Sequence, residues 1–326
     1  MPALDPLTVI LIIAIGFLLA GALAPLEALG WWAGWYGQSL EPSDDAPPDT
    51  SRATARRSDP VSFVVFLTGI HSVSHATFAR REQALLTALE RRLENATIIE
   101  VFPYSVTNRA LTGQRTFARF WRWALKRKLS GRTLAGFLIN LRNLWQVAVS
   151  ADRRYGPIYN QGSAEMILRA LAHHGYQPGS GTAVTLIGYS GGGQIAMGAA
   201  PHLKAALGAP IQVVSLGGVL AADPGLTEID RLYHLYGDRD LVQRLANVFF
   251  PGRWRVLRYS PWNRALEQGI VALKRIGPMD HTGKGGYLDG KMKTADGRTY
   301  FEVTVDALTT LIQAPATTPA PTRLPD

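Results

Sequence analysis

Residues 183–200 read AVTLIGYSGGGQIAMGAA, and this stretch constrains the fold more than any other. An aliphatic, β-branched run leads in, glycines crowd around Ser190, and a run of small helix-compatible residues leads out. Gly188-Tyr189-Ser190-Gly191-Gly192-Gly193 fits G-x-S-x-G, with Gly188 and Gly192 flanking the serine. A serine at the tip of so sharp a strand-to-helix turn takes strained backbone geometry, and its neighbours two residues away must lack bulky side chains. The turn lifts the hydroxyl to the top of a sheet and aims the following N–H groups at a reacting oxygen. The plainer alternative is a glycine-rich turn with no chemistry attached.

The rest of the body alternates strands and helices. Val61 to Leu67 (VSFVVFL) is a continuous apolar run ending in Thr68-Gly69, as a buried parallel strand requires. Helical periodicity follows over Ala79 to Asn95. Then come ATIIEVF (96–102), a helix near Ser163 to His174, AVTLIGY (183–189), a small-residue helix from Gln194 to Leu207, and IQVVSL (211–216). Further strands are expected at Arg231 to Tyr236 and Ile270 to Ile276, and a last helix over Tyr300 to Ile312. This pattern predicts an α/β domain over 61–314, with a mainly parallel sheet of about six strands covered on both faces.

With these motifs in place, the chain resembles the α/β-hydrolase fold, in particular its lipase- and esterase-like members, across about residues 61–314. Val64 to Ile70 resembles that family's strand and oxyanion loop, with Thr68 where histidine is usual. The resemblance implies an oxyanion site made by the backbone N–H groups of Ile70 and Gly191. It also implies the chain order nucleophile, acid, histidine. Of seven histidines, His71, His75, His173 and His174 precede Ser190. His202 falls in the helix after the turn and His234 inside a predicted strand. That leaves His281, in the loop after the last strand. For the acid, LYGDRDLV (235–242) offers two residues. The resemblance favours Asp240 over Asp238, with Asp223 third; those not used would be turn or cap residues.

The N-terminus reads differently. Leu7 to Ala24 carries no charge, and eighteen such residues span about 27 Å, close to a bilayer's hydrocarbon core. Trp31, Trp32, Trp35 and Tyr36 follow as an interfacial belt, so residues 1–36 are expected to form a single-pass anchor. A cleaved signal peptide is the competing reading, through Ala22-Leu23-Ala24, but Pro25 follows and no Lys or Arg precedes the span. Arg52, Arg56 and Arg57 point to a cytoplasmic body, although Asp44, Asp45 and Asp49 come before them. Residues 37–60 are expected to be a disordered linker and 315–326 a disordered Pro/Thr tail.

The formal charge of +9 is concentrated. Arg109 to Arg154 holds eleven basic residues against one acid, leaving 23 basic and 24 acidic elsewhere. This insertion, over 107–156, is expected to form two helices broken at Ser130-Gly131. In the first, Phe117, Phe120 and Trp121 oppose Arg115, Arg119, Arg122 and Lys126. In the second, Leu134, Phe137, Leu138, Leu141, Leu144, Trp145 and Ala148 form an apolar stripe. A lid contacting an anionic bilayer and a cap packed on the core both suit this pattern; no nucleic-acid module is recognisable.

The absence of cysteine excludes thiolate metal sites and a cysteine nucleophile. No cofactor is implied, and no His, Asp or Glu cluster has metal-ligand spacing. The expected activity is a membrane-anchored serine hydrolase cleaving carboxylic esters, lipid or long-chain acyl esters foremost, through Ser190, His281 and Asp240. The same residues would serve a thioesterase, amidase, peptidase or acyltransferase. A catalytically silent membrane- or partner-binding module is the non-enzymatic alternative.

Overall fold

The computed structural model describes residues 5–34, 62–71, 80–105 and 133–314. Six strands form one sheet: β1 (Ser62–Leu67), β2 (Ala96–Val101), β3 (Ala183–Tyr189), β4 (Ile211–Leu216), β5 (Arg231–Gly237) and β6 (Val271–Gly277). Their order is β2-β1-β3-β4-β5-β6, and every neighbouring pair is parallel. The helices are α1 (Pro6–Leu23), α2 (Leu26–Trp32), α3 (Arg80–Arg92), α4 (Thr133–Ala151) and α5 (Gly156–His173), followed by α6 (Gly191–Leu207), α7 (Leu241–Phe249), α8 (Pro261–Glu267) and α9 (Tyr300–Gln313). The fold is α/β, as the alternation predicts.

Both faces of the sheet are covered, which is why β1 shows no polar alternation. Phe63, Val65 and Leu67 enter one core, with Ala28 of α2, Ile139 of α4, Tyr159 of α5, Ala196 of α6 and Trp262 of α8. Val64 and Phe66 enter the other, with Leu85 of α3 and Leu308 of α9. The chain begins at β1, steps outward to β2, then crosses back over β1 to β3. Right-handed crossovers place helices on opposite faces when the direction reverses. Accordingly α3 lies on one side and α4 to α6 on the other. The carboxyl ends of β1 and β3 therefore border the crevice where α/β sheets bind ligands. The small residues of α6 serve close packing: a Cβ on Gly198 would stand 2.3 Å from the side-chain nitrogen of Asn160 on α5.

Three elements depart from the sequence expectation. First, α5 starts at Gly156, with Pro157 in its first turn, rather than near Ser163. Second, α4 buries chiefly a face other than the apolar stripe, of which Leu138, Leu141 and Trp145 are half-buried. Phe137 and Leu144 are exposed, whereas Ile139, Asn143, Gln146, Val147 and Ser150 are buried. Apolar periodicity misreads this helix because polar side chains on its buried face have partners: Asn143 donates to the carbonyl of Ile70 and Ser150 to Asn160. Third, the apolar N-terminus is not separate from the body. Among the described residues one helical stretch, Ala14–Trp32, is long and apolar enough to cross a membrane, a property that signal sequences share. Yet α2 turns back onto the domain. Ala28 is fully buried and Trp31 packs against the core, so only Trp32 of this described pair is exposed as a belt residue would be.

The junction is specific. Glu27 pairs with Arg142 on α4, and Gln146 donates to the carbonyl of Ala24 at 3.3 Å. Phe17 of α1 meets the ring of Trp145 with centroids 4.7 Å apart. Trp35, Tyr36, the linker at 37–60, the first insertion helix with Arg115 to Lys126, and the tail at 315–326 lie outside the described residues.

Burial of α2 makes a prediction. Ala28→Leu should overpack the core and lower stability by about 1–3 kcal/mol. Trp32→Ala should change it by less than about 0.5 kcal/mol. Thermal unfolding of the full chain in detergent would separate the two, and equal, negligible effects would show that α2 does not belong to the body.

Candidate active site

Ser190 occupies the turn between β3 and α6 with φ 53° and ψ −123°, the only positive-φ residue other than glycine among the described residues. Such a conformation costs about 1–3 kcal/mol and persists only where the surroundings enforce it. Here they do. The Ser190 N–H donates to the Leu216 carbonyl at 2.9 Å, and the Gly193 N–H donates to the Ser190 carbonyl at 3.0 Å. A Cβ on Gly188 would lie 2.4 Å from the Cα of Gly193, and one on Gly192 would lie 2.4 Å from the Leu67 carbonyl oxygen. Both flanking glycines are thus required by contact, since α6 starts hard against the end of β1.

The structure brings Ser190, His281 and Asp240 together. His281 Nε2 lies 2.7 Å from Ser190 Oγ, and His281 Nδ1 lies 2.9 Å from Asp240 Oδ2. Asp240 is fully buried and caps α7, its Oδ1 accepting from the Gln243 N–H at 3.0 Å. A buried carboxylate at Nδ1 assigns the proton to that nitrogen and leaves the Nε2 lone pair for the serine hydroxyl. Burial pushes the Asp240 carboxyl up, but hydrogen bonds from His281, Tyr287 and the Gln243 N–H outweigh it and hold it below the ordinary range.

Tyr287 closes this chain from behind. Its hydroxyl donates to Asp240 Oδ2 at 2.5 Å and accepts from the Gly237 N–H at 2.9 Å. Burial, then the Asp240 charge, push the Tyr287 phenol far up, so it stays a donor. Tyr189 stacks on the imidazole at 6.0 Å, and its hydroxyl donates to the His281 carbonyl at 2.8 Å. The histidine is therefore held by ring and backbone as well as by the carboxylate.

Across from the serine lies the loop after β1. A Cβ on Gly191 would meet Ile70 and Val147, each at 2.7 Å, which places the two expected oxyanion residues in contact. Among the described residues neither Ile70 nor Gly191 has a hydrogen-bond acceptor for its N–H. The loop itself is clamped. Buried Glu82 of α3 accepts from Thr68 Oγ1 at 2.8 Å and from the Gly69 N–H at 3.2 Å. Tyr104 donates to the Thr68 carbonyl at 2.8 Å, and Asn143 to the Ile70 carbonyl at 2.7 Å. With the Thr68 and Ile70 carbonyls both occupied, the loop holds the Ile70 backbone beside Gly191.

The other sequence candidates fall elsewhere. Asp238 pairs with Arg275 at the surface, and Asp223 caps a short 3-10 turn by accepting from the Gly225 N–H at 2.8 Å. His234 is buried between Ser215 and Gln243, and burial depresses its pKa to about 3, keeping it neutral. Sequence reasoning did not select Tyr287, Glu82, Tyr104 or Asn143. None stands in a motif; Glu82 reads only as an acid in the first turn of a helix. Among the described residues no group of three or more His, Asp or Glu side chains is placed to hold a metal ion. The chain matches no protein-family model and no curated protein.

The Tyr287 contact predicts a pH-dependent loss of stability. Because the folded Asp240 pKa is depressed, its contribution is present above the unfolded value of about 3.9 and is lost as pH falls through the lower folded value. Tyr287→Phe should cost about 1.5–3 kcal/mol at pH 7. The difference from wild type should shrink below about pH 4, leaving only the pH-independent cost of the orphaned Gly237 N–H. Denaturant unfolding of both proteins across that range would test this; a difference constant with pH would rule out the charged partner.

Proposed function

We propose that this protein is a serine hydrolase of α/β-hydrolase type, anchored to a membrane by its apolar N-terminal helix and acting on carboxylic esters of lipid or long-chain acyl character. The observation that carries the proposal is the continuous hydrogen-bonded series Tyr287, Asp240, His281, Ser190, ending on a serine in enforced, strained geometry. Ser190 Oγ attacks the ester carbonyl while His281 Nε2 takes its proton, and Asp240 holds the ring and stabilises the imidazolium. The oxyanion develops toward the N–H groups of Ile70 and Gly191. His281 then protonates the leaving alcohol, and water resolves the acyl-enzyme by the same route in reverse.

The helix α4 supports the lipid assignment. On one side Trp145 meets α1; on another Val147 touches the space beside Gly191. α4 thus links the apolar N-terminal helix to the neighbourhood of Ser190.

Fluorophosphonate labelling of the full-length protein in membranes tests the chemistry. Wild type should label, while Ser190→Ala and His281→Ala should not. Asp240→Asn should lower turnover by about 10³–10⁴-fold, because it favours the wrong imidazole tautomer. A folded wild type that fails to label would sink the proposal.

The loop clamp gives a finer test. Glu82→Gln keeps the shape but replaces one acceptor with a donor facing Thr68 or Gly69. It should lower kcat about tenfold or more with little change in KM, since the misplaced loop is felt in the transition state. A change confined to KM would assign Glu82 to substrate binding instead.

A further inference from the structure

Outside the N-terminal helices, the densest run of exposed apolar side chains among the described residues follows Asp240. On α7, Leu241, Leu245, Val248 and Phe249 are all exposed, at i, i+4, i+7 and i+8, and so form an outward apolar face. The chain continues into FPGRWRVLRYS (250–260), where Val256 and Tyr259 are 77% and 91% exposed and Trp254 and Leu257 also face solvent. Monomers rarely leave such a contiguous apolar surface without a partner.

This surface is held in place. Arg253 stacks on Trp262 at 3.9 Å and donates to the Leu220 carbonyl at 3.1 Å. Asn263 donates to the carbonyls of Trp254 and Leu257 at 2.8 and 2.9 Å, and the Trp254 indole donates to the Asn247 carbonyl at 2.6 Å. The polar groups point inward and tie the excursion to the body, so its apolar side chains are presented outward.

Charge selects the occupant. Residues 241–266 contain Arg244, Arg253, Arg255, Arg258 and Arg264 and no acid. All but Arg253 are exposed. The basic stretch Arg109 to Arg154 carries the same sign, as would this face on a second copy. Apolar and aromatic side chains interleaved with arginine suit the boundary between acyl chains and anionic headgroups. We infer that α7 and residues 250–259 form a second membrane-contact surface, specific for anionic lipid and additional to the N-terminal helix. Because Asp240 both caps α7 and holds His281, docking this surface fixes the candidate site against the bilayer.

The absence of native cysteine makes a local test available. Full-length protein carrying Val256→Cys, labelled with an environment-sensitive fluorophore, would be reconstituted in vesicles of phosphatidylcholine alone or mixed with phosphatidylserine. Ser180→Cys, exposed at the amino end of β3, is the control. In mixed vesicles the label at 256 should shift to the blue and be quenched by spin-labelled lipid. Each of Arg255→Gln and Arg258→Gln should weaken that response about fivefold, and the control should stay aqueous. A label at 256 that is aqueous in both membranes, or equally shielded in both, overturns the inference. So does shielding without lipid quenching, which would indicate a protein partner. The readout is independent of Ser190 chemistry, so fluorophosphonate labelling can fail while this surface stands, and the reverse.

Discussion

The geometry of this protein hangs on one steric constraint, the contact of α6 with the ends of β1 and β3. Ser190 adopts φ 53° because the chain must turn from strand to helix within a space that admits only glycine on either side. Gly192 rests against the Leu67 and Thr68 carbonyls, and Gly188 against Gly193. These contacts set the serine, the first N–H groups of α6 and the loop after β1 at fixed separations. Local strain of about 1–3 kcal/mol is held by the sheet's centre, where β3 and β4 are buried along nearly their whole length and supply the rigidity that loops alone would lack.

Around that turn the supporting residues form two shells with different physics. On the Asp240 side, buried donors keep a carboxylate charged: Tyr287, His281 and the Gln243 N–H all converge on it. On the Ile70 side, acceptors and donors occupy the loop's remaining groups. Glu82 binds from α3, on one face of the sheet, and Asn143 from α4, on the other. The loop is therefore gripped from both layers. Because α4 also meets α1 and α2 through Trp145, Gln146 and Arg142, the apolar N-terminus and the candidate oxyanion loop share one helix. That sharing makes the N-terminal segment part of the domain's architecture.

Much of this was legible in the linear order of residues. Continuous apolar runs mark strands buried on both faces, and all six appear within a residue or two of expectation. The glycine spacing around Ser190 is legible because steric exclusion acts over a few residues. The chain order that the family resemblance implies singles out His281, the same resemblance favours Asp240 over Asp238, and the structure brings both to Ser190. The buried face of α4 was not legible. Asn143, Gln146 and Ser150 look like surface residues until their partners on the Ile70 loop, at Ala24 and on α5 are in place.

By itself, then, the sequence determined what depends on short-range pattern: the α/β layering, the strained turn around Ser190 and the apolar span, while Asp240 and His281 as that serine's partners followed only from the family resemblance. Only the tertiary structure decided what depends on burial and on partners distant in the chain. It places Tyr287 behind Asp240, sets Glu82 beneath the Gly69 backbone and folds α2 onto the core. It also leaves the apolar face of α7 outward. Periodicity records that α7 has two faces, but which one meets solvent is settled by where Asp240, Arg253 and Asn263 attach it.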